Sequence, residues 1–275
     1  GGIVNAEVFG NYGQNSSLGN RAADSGGDVG LLFRGGTLQY TGGTPQTTDR
    51  AVRIGTTGGG GTIDASGSAP SATLSFTCPV SPDFFENGGN RVVTLTGSNT
   101  GDNFFATAIG VAGGRTHLVK SGTGKWVMGT NSIFYTGAIL NGGVLSMESD
   151  SCIGGAGSTI AFNGGTLTIT GTNVTSLDAH IMYWASSGGI TINDPANDFR
   201  LTRTVSGYCS LSYAGNLRLD SATNIVFVGS MNGTGTVTKT GSGVVHLLGT
   251  NAYTGATVIS GGTLAIGRPG GCVVA

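Results

Sequence analysis

The sequence predicts an all-β protein whose short strands wind into a solenoid, and three observations support this. Glycine supplies 53 of the 275 residues, and only 10% of the residues are charged. Val, Ile, Leu and Phe occur in short runs that Gly, Thr, Ser and Asn interrupt. Finally, the sequence repeats itself at intervals that fit one coil of a solenoid. Glycine permits tight turns and β-branched residues favour strands, so this composition is typical of β-structure.

The composition also excludes several other classes of protein. The glycines do not recur at every third position and there are only six prolines, which excludes a collagen triple helix. Helices are not expected, because Gly or Pro interrupts nearly every window of about 12 residues. No apolar stretch reaches the length of about 18 residues that a transmembrane helix needs. A formal net charge of −1 gives no electrostatic reason to expect nucleic acid as a partner.

Two segments of the chain share a long, ordered pattern. Residues 118–147 and 237–266 both contain Lys-x-Gly-x-Gly, Gly-Thr-Asn, Tyr-Thr-Gly and Gly-Gly-x-Leu in that order. The last element recurs at residues 35–38 and 164–167, and a looser copy lies at 60–63. The intervals from 35 to 60 and from 142 to 164 are 25 and 22 residues, close to one coil of three short strands. We therefore expect coils that stack about 4.8 Å apart and pair their backbones.

This order of elements resembles the passenger-associated repeat of autotransporters and of very large bacterial surface proteins. Residues 239–264 match the repeat in full, and residues 120–145 match with two extra residues before Tyr135. The resemblance implies a right-handed parallel β-helix outside a bacterial cell. The motifs of this family are architectural, so the resemblance carries over no catalytic residue. Residues 173–235 match no motif of the family.

The sequence thus predicts one solenoid domain over residues 1–275, with passenger-type repeats at about 118–147 and 237–266. The expected function is that of an extracellular structural protein, a subunit or segment of a bacterial surface filament that polymerises head to tail. The alternative is an adhesin that binds surfaces or glycans. A third alternative, from a different class, is a polysaccharide-active β-helix enzyme. No catalytic, cofactor-binding or metal-binding residue is assigned, and no cofactor is expected.

Both ends of the sequence favour self-association. The start and the finish of the chain are apolar and β-prone, and neither carries a polar cap. Open coil ends expose unpaired backbone groups, which favours a head-to-tail contact that generates a filament. The residues expected at these assembly ends are Ile3, Val4, Val8, Phe9, Val273 and Val274.

Four cysteines allow two interpretations. Their even number fits two disulfides formed in an oxidising compartment, and Cys272 could also lock a joint between subunits. The alternative is that they are small hydrophobic residues buried inside the solenoid. No two of them are close in sequence, which gives no support to zinc or redox chemistry of the CxxC type. The candidate disulfide residues are Cys78, Cys152, Cys209 and Cys272.

Acidic and phosphate-binding motifs give little support to an enzyme. A β-helix lyase or hydrolase needs carboxylates that meet on one face of adjacent coils. The nearest acidic pairs are Glu148 with Asp150 and Asp194 with Asp198, and both pairs lie in segments typical of turns, where such side chains bond to the backbone. The glycine-rich loop before Trp126 is not a Walker loop, because that motif requires Ser or Thr after its lysine.

Two segments are the first candidates for a partner site. Residues 180–189 are the most individual part of the sequence and are interpreted as a loop that leaves the solenoid, and residues 194–200 form a proline-containing loop. Exposed aromatic residues often stack on sugars, and the residues considered for this are Trp126, Trp184, Tyr183 and Tyr208. Core or edge packing is the default interpretation for them, because aromatic residues make up only 7% of the chain. The three histidines, His117, His180 and His246, are far apart in sequence and are expected to pack or to lie on the surface.

Overall fold

The structure is a computed structural model that describes residues 1–22, 30–55, 59–78, 90–107, 116–129, 136–201, 209–220, 225–227, 229–247 and 249–267. Across these residues the regular structure is β-strand, apart from a single 3-10 turn at Asp150–Ile153. This confirms the all-β fold. In the same part of the chain, no helix has the length and apolar character needed to cross a membrane.

The strands are short, and most contain three to five residues. The first thirteen are β1 (Ile3–Asn5), β2 (Leu31–Phe33), β3 (Thr37–Tyr40), β4 (Gln46–Thr48), β5 (Val52–Ile54), β6 (Gly61–Ala65), β7 (Leu74–Phe76), β8 (Arg91–Thr96), β9 (Asn103–Phe105), β10 (Thr116–Lys120), β11 (Lys125–Met128), β12 (Gly137–Leu140) and β13 (Val144–Met147). The others are β14 (Thr159–Phe162), β15 (Thr166–Ile169), β16 (Ile181–Trp184), β17 (Gly188–Ile192), β18 (Phe199–Leu201), β19 (Cys209–Tyr213), β20 (Leu217–Asp220), β21 (Ile225–Phe227), β22 (Gly229–Gly233), β23 (Val237–Thr240), β24 (Val244–Leu247), β25 (Thr257–Ile259) and β26 (Thr263–Ile266).

Every described pairing between strands is parallel and joins one coil to the next. Sheet A has the order β1-β3-β6-β8-β10-β12-β14-β16, and sheet B has the order β4-β7-β9-β11-β13-β15-β17-β19-β22. Sheet C contains β18-β20-β23-β25, sheet D contains β21-β24-β26, and β2 pairs with β5. Sheet B therefore takes one strand from each of nine successive coils. This arrangement confirms the parallel β-solenoid.

Alternate residues of each strand point into the solenoid, where aromatic rings of successive coils form a column. Phe9 packs against Tyr40 and Phe76, with ring centroids 5.8 and 6.2 Å apart. Phe76 in turn contacts Phe105 at 5.9 Å, and Phe105 contacts Trp126 at 6.5 Å. Most of these contacts are edge-to-face, the geometry that aromatic quadrupoles favour. Ring contacts in the core thus connect the first coils of the solenoid to one another.

The beginning of the chain differs in one respect from the sequence prediction. Ile3, Val4 and Val8 are exposed, whereas Phe9 is buried in the aromatic column. The expectation that Phe9 lies at an open end is corrected, because the chain turns inward after Val8. Arg50 holds this turn, since its guanidinium donates hydrogen bonds to the carbonyls of Gly10, Leu18 and Gly19 at 3.1, 2.9 and 2.6 Å. The predicted end residues Val273 and Val274 lie outside the described residues.

The cysteines are described in part. Cys78 and Cys152 are buried thiols that are not joined to each other. The Cys152 thiol donates a hydrogen bond to the Gly129 carbonyl at 3.2 Å, and burial raises its pKa to about 11. Both residues thus fit the interpretation as small core residues. The side chains of Cys209 and Cys272 lie outside the described residues, so a disulfide involving either of them stays a prediction.

Candidate functional site: locked turns and the outer face of sheet A

A buried lysine locks the turn of the first passenger-type repeat. Lys120 ends β10, and its side chain is fully enclosed. Its ammonium donates to the carbonyls of Ser121 and Gly122 in its own turn, at 2.6 and 3.3 Å, and to Gly142 of the next coil at 3.1 Å. An ammonium has three N–H donors, so this arrangement uses all of them. Desolvation lowers the pKa of Lys120 to about 8.

The second repeat contains the same contact. The buried Lys239 ammonium donates to Thr240, and to Gly241 and Gly261 at 2.9 and 3.2 Å. In the next coil, each acceptor glycine is followed by a second glycine with a positive φ, which is +62° at Gly143 and +65° at Gly262. A Cβ at either position would lie 2.7 Å from the lysine nitrogen. Lys-x-Gly-x-Gly and Gly-Gly-x-Leu are therefore two halves of one contact between stacked coils.

This lysine contact was not predicted, although the sequence contains a signal for it. Lys120 precedes Gly143 by 23 positions, and Lys239 precedes Gly262 by the same 23 positions. This distance is about one coil. A cationic side chain that repeats at coil spacing before a glycine pair could therefore have indicated a contact between turns.

The outer face of sheet A carries an apolar ladder, formed by Val119, Ile139, Ala161 and Tyr183. The strand register places each of these residues beside the next, from β10 to β16. Tyr183 is 60% exposed, and the neighbouring Ile181 is 53% exposed. The side chains point outward because alternate residues of these strands face the core. The ladder thus places apolar surface in solvent.

A groove of about 610 Å³ runs beside this ladder. Its floor consists mainly of small residues, among them Gly137, Ala138 and Ala161, and Ala156 and Ser158 also line it. Gly137 has φ +102°, and a Cβ there would lie 1.9 Å from the Thr159 carbonyl oxygen. Glycine at this position therefore lets the two coils approach closely and keeps the floor open.

Ser158, which lines the groove, is held by a chain of polar contacts behind it. The Ser158 hydroxyl lies 2.7 Å from Nδ1 of the buried His180, and Nε2 of His180 contacts the Asp150 carboxylate. The same residue types form the nucleophilic triad of hydrolases. Here His180 is fully enclosed and Ser158 is only 7% exposed. The contacts of the three residues join the 3-10 turn, the loop before β14 and the start of β16. Within the described chain, no cluster of His, Cys, Asp and Glu could hold a metal ion.

The acidic residues considered for catalysis each have separate surroundings. Glu148 is exposed, and Asp150 is bound to His180. The Asp194 carboxylate accepts a hydrogen bond from the Ala196 amide at 2.8 Å, which is a turn interaction. Asp198 contacts Arg218 at 2.8 Å. Asp150, Asp194 and Asp198 thus each bind a different partner, as expected for side chains that hold turns or surface ion pairs.

The aromatic residues considered for stacking on a ligand also separate into two groups. Trp126 is buried, and its Nε1 donates to the Thr96 carbonyl at 2.9 Å. Trp184 stacks on Phe162 with ring centroids 3.9 Å apart. Tyr183 is exposed, and Tyr208 lies outside the described residues. Of the described members of this set, Tyr183 is the most accessible to a partner.

The parallel coils, whose turns are joined by buried lysines, define a β-solenoid. The family model described as Passenger-associated-transport-repeat matches residues 118–147 and 237–266, the two segments that the repeat pattern identifies. The chain is also similar to the adhesin autotransporter BmaC of Brucella suis biovar 1 (strain 1330), at 28% identity over 292 residues. The alignment covers 98% of this chain and 8% of that relative. No solved structure matches the chain.

These comparisons confirm the resemblance to autotransporter passenger-repeat proteins. Together with the parallel coils, they place the chain outside the cell or at the bacterial cell surface. The chain spans only a small part of its relative, so the partner and the assembly are subjects for a proposal.

Proposed function

We propose that this chain is a non-enzymatic segment of a bacterial surface rod, and that it contributes to adhesion through the outer face of sheet A. The observation that carries the proposal is the apolar ladder with its exposed end at Ile181 and Tyr183. Contiguous exposed apolar surface marks interaction sites in soluble proteins. Tyr183 offers an apolar ring with a polar tip, which suits both protein surfaces and glycans. The similarity to a relative that is named an adhesin supports the same function.

The adhesive role is tested with beads that display the folded protein. The double variant Ile181→Ser/Tyr183→Ser is expected to reduce attachment to cells, because it removes the exposed end of the ladder. Val258→Ser is the matched control, since Val258 is also an exposed apolar strand residue but lies in sheet C. Circular dichroism verifies the fold of each variant. Undiminished attachment of a folded double variant would contradict the proposal.

Head-to-tail self-association is the second function that we propose. Exposed apolar residues on edge strands support it, namely Ile3 and Val4 on β1, Ile259 on β25 and Ile266 on β26. In the described residues, β1 and β25 each pair with a single neighbouring strand. An open strand edge with apolar side chains favours pairing with another chain, and unlike ends produce an open filament.

The assembly proposal is tested by electron microscopy and sedimentation of the purified chain. Ile259→Lys is expected to shorten or abolish filaments, because Ile259 stacks over Lys239 on the inner side of the coil. Val258→Lys is the control, since the adjacent side chain points outward. Monodisperse short rods of the unmodified chain at high concentration would overturn this part of the proposal.

The absence of catalysis is also part of the proposal, and the separate surroundings of the described carboxylates support it. Incubation with polyuronates and neutral polysaccharides is expected to release no new chain ends. Turnover that Asp194→Ala abolishes would assign the chain to the polysaccharide-active class instead.

A further inference from the structure

A polar cleft of about 440 Å³ lies along sheet C, away from the apolar ladder. The residues that line it are Thr175, Ser176, Asp178, Asp198, Arg200 and Arg218. The Arg200 amide donates to the Thr175 carbonyl at 2.7 Å, so residues 175–178 belong to the coil before β18. Arg218 lies on β20, in the coil after β18. Three successive coils thus contribute side chains to one cleft.

The charges of this cleft alternate. Arg200 and Arg218 are register partners on β18 and β20 and are each about half exposed. Two like charges in this position repel each other. Each guanidinium is balanced by an aspartate of the other coil, Arg218 by Asp198 at 2.8 Å and Arg200 by Asp220 at 3.4 Å. The four residues therefore form an interlaced group with a formal net charge of zero.

The donors and acceptors of this group exceed what the two ion pairs use. A guanidinium has five N–H donors, and a carboxylate has about four acceptor positions. The hydroxyls of Thr175 and Ser176 add groups that both donate and accept. A pair of adjacent sugar hydroxyls also donates and accepts, so it can bond to an aspartate and an arginine at the same time. A polyanion is a poorer match, because Asp178 and Asp198 also line the cleft.

We propose that this cleft binds a neutral hexose-containing oligosaccharide through adjacent hydroxyl groups, with Arg218 and Asp198 as the central contacts. This inference rests on the proposed adhesive function and names a ligand class and a second contact site for it. The cleft volume lies within the range of about 300 to 1,000 Å³ that is typical of small-ligand sites. The outward Thr238 is in register with Arg218 on the next coil, so the polar surface continues along the axis of the solenoid.

The experiment measures the binding of the folded chain to immobilised neutral, sulfated and carboxylated oligosaccharides. Neutral oligosaccharides are expected to bind, and raising the salt to about 1 M is expected to change this binding little, because that salt screens charge attraction beyond about 3 Å. Arg218→Ala is expected to weaken binding about tenfold or more, since it leaves sugar hydroxyls without their donor. The exchange variant Asp198→Arg/Arg218→Asp keeps an ion pair but relocates its donors and acceptors, and it is expected to lose binding as well.

Lys125→Ala is the matched control, because it removes another surface ion pair, with Asp102 at 2.6 Å, on sheet B. It is expected to leave binding unchanged. Binding of neutral sugars that survives both Arg218→Ala and the exchange would place the site elsewhere, and binding restricted to anionic sugars would overturn the ligand class. If the unmodified chain attaches to cells but binds no glycan, the inference about the cleft is wrong and the adhesive function stands. If the unmodified chain does not attach to cells at all, the adhesive function itself is wrong.

Discussion

The two passenger-type repeats have the same lysine contact but very different burial. Leu140 of the first repeat is 0% exposed, while Ile259, its counterpart one coil beyond Lys239, is 57% exposed. Likewise Met147 is 0% exposed and Ile266 is 70% exposed. The difference arises because β14 and β15 stack on β12 and β13, whereas no described strand stacks on β25 and β26.

This comparison separates two functions of the repeat sequence. The lysine and the glycine pair hold two consecutive turns together in both copies, so they determine the path of the chain. Burial of the inward aliphatic residues depends on the next coil, as expected for a solenoid in which each unit contacts only its neighbours. The locking contact is therefore local, and the hydrophobic stabilisation is shared between coils.

The largest expected difference between the copies concerns these aliphatic residues. Leu140→Ala is expected to lower the free energy of unfolding by about 2–5 kcal/mol, because it opens a cavity in a packed core. Ile259→Ala is expected to change it by about 0.5 kcal/mol or less, as for a surface residue. Urea unfolding monitored by circular dichroism measures both. An equal loss in the two variants would mean that another coil, from the same chain or a second copy, covers β25 in solution.

A smaller loss is expected when the lysine is removed. Lys120→Met leaves three carbonyl acceptors without their donor and is expected to cost about 1–3 kcal/mol. Lys239→Met is expected to affect mainly the two turns that this lysine joins, so that hydrogen exchange accelerates at Thr263 of the next coil, whose amide donates to Gly243. Lys125→Met is the control, since its surface ion pair contributes at most about 1 kcal/mol. A cost for Lys120→Met no larger than that of the control would show that the locked turn is unimportant for stability.

A third prediction concerns a position at which the copies differ. Trp126 occupies the position of Val245, and both are buried. Trp126→Phe is expected to cost about 1 kcal/mol, because it removes the hydrogen bond to Thr96. Trp184→Phe is the control, since the buried Trp184 Nε1 has no hydrogen-bond partner in the described structure. Its replacement is expected to cost less or to stabilise the protein. Thermal unfolding compares the two, and a larger cost for Trp184→Phe would contradict this interpretation.

The stacking of parallel coils could be predicted from the sequence because its signal is local. Glycine pairs followed by Leu recur at coil length, and the strands between them alternate in polarity. The inward direction of Lys120 could not be predicted in the same way, because lysine is almost never fully buried without partners. Its partners are backbone carbonyl groups, which every residue type has, so the sequence does not identify them. They come together only when two turns stack.

The candidate sites could be predicted only in part, because some of their residues lie in recognisable local segments and others come together only when coils stack. The sequence indicates residues 180–189 and 194–200 as the first candidates for a partner site, and the structure places Tyr183 and Arg200 on outer faces there. The partner of Arg200 in the next coil, Arg218, could not be found, because no motif fixes the register in that part of the chain. The burial of Phe9 was missed because its strand-like surroundings gave no indication of the inward turn that Arg50 holds.

The smallest expected effect is the pH dependence of the first locked turn. Burial lowers the pKa of Lys120 from 10.5 to about 8. Between these two values the unfolded chain keeps a proton that the folded chain has lost, so the free energy of unfolding rises with pH in this range. Tyr213 contributes the opposite slope above about pH 10, because burial raises the pKa of its phenol. The difference in unfolding free energy between the unmodified chain and Lys120→Met cancels the contribution of Tyr213. This difference is expected to shift in favour of the unmodified chain from about pH 8 to 10.5, in urea unfolding at constant salt. A constant difference across this range would mean that the three carbonyl contacts offset desolvation and keep Lys120 charged.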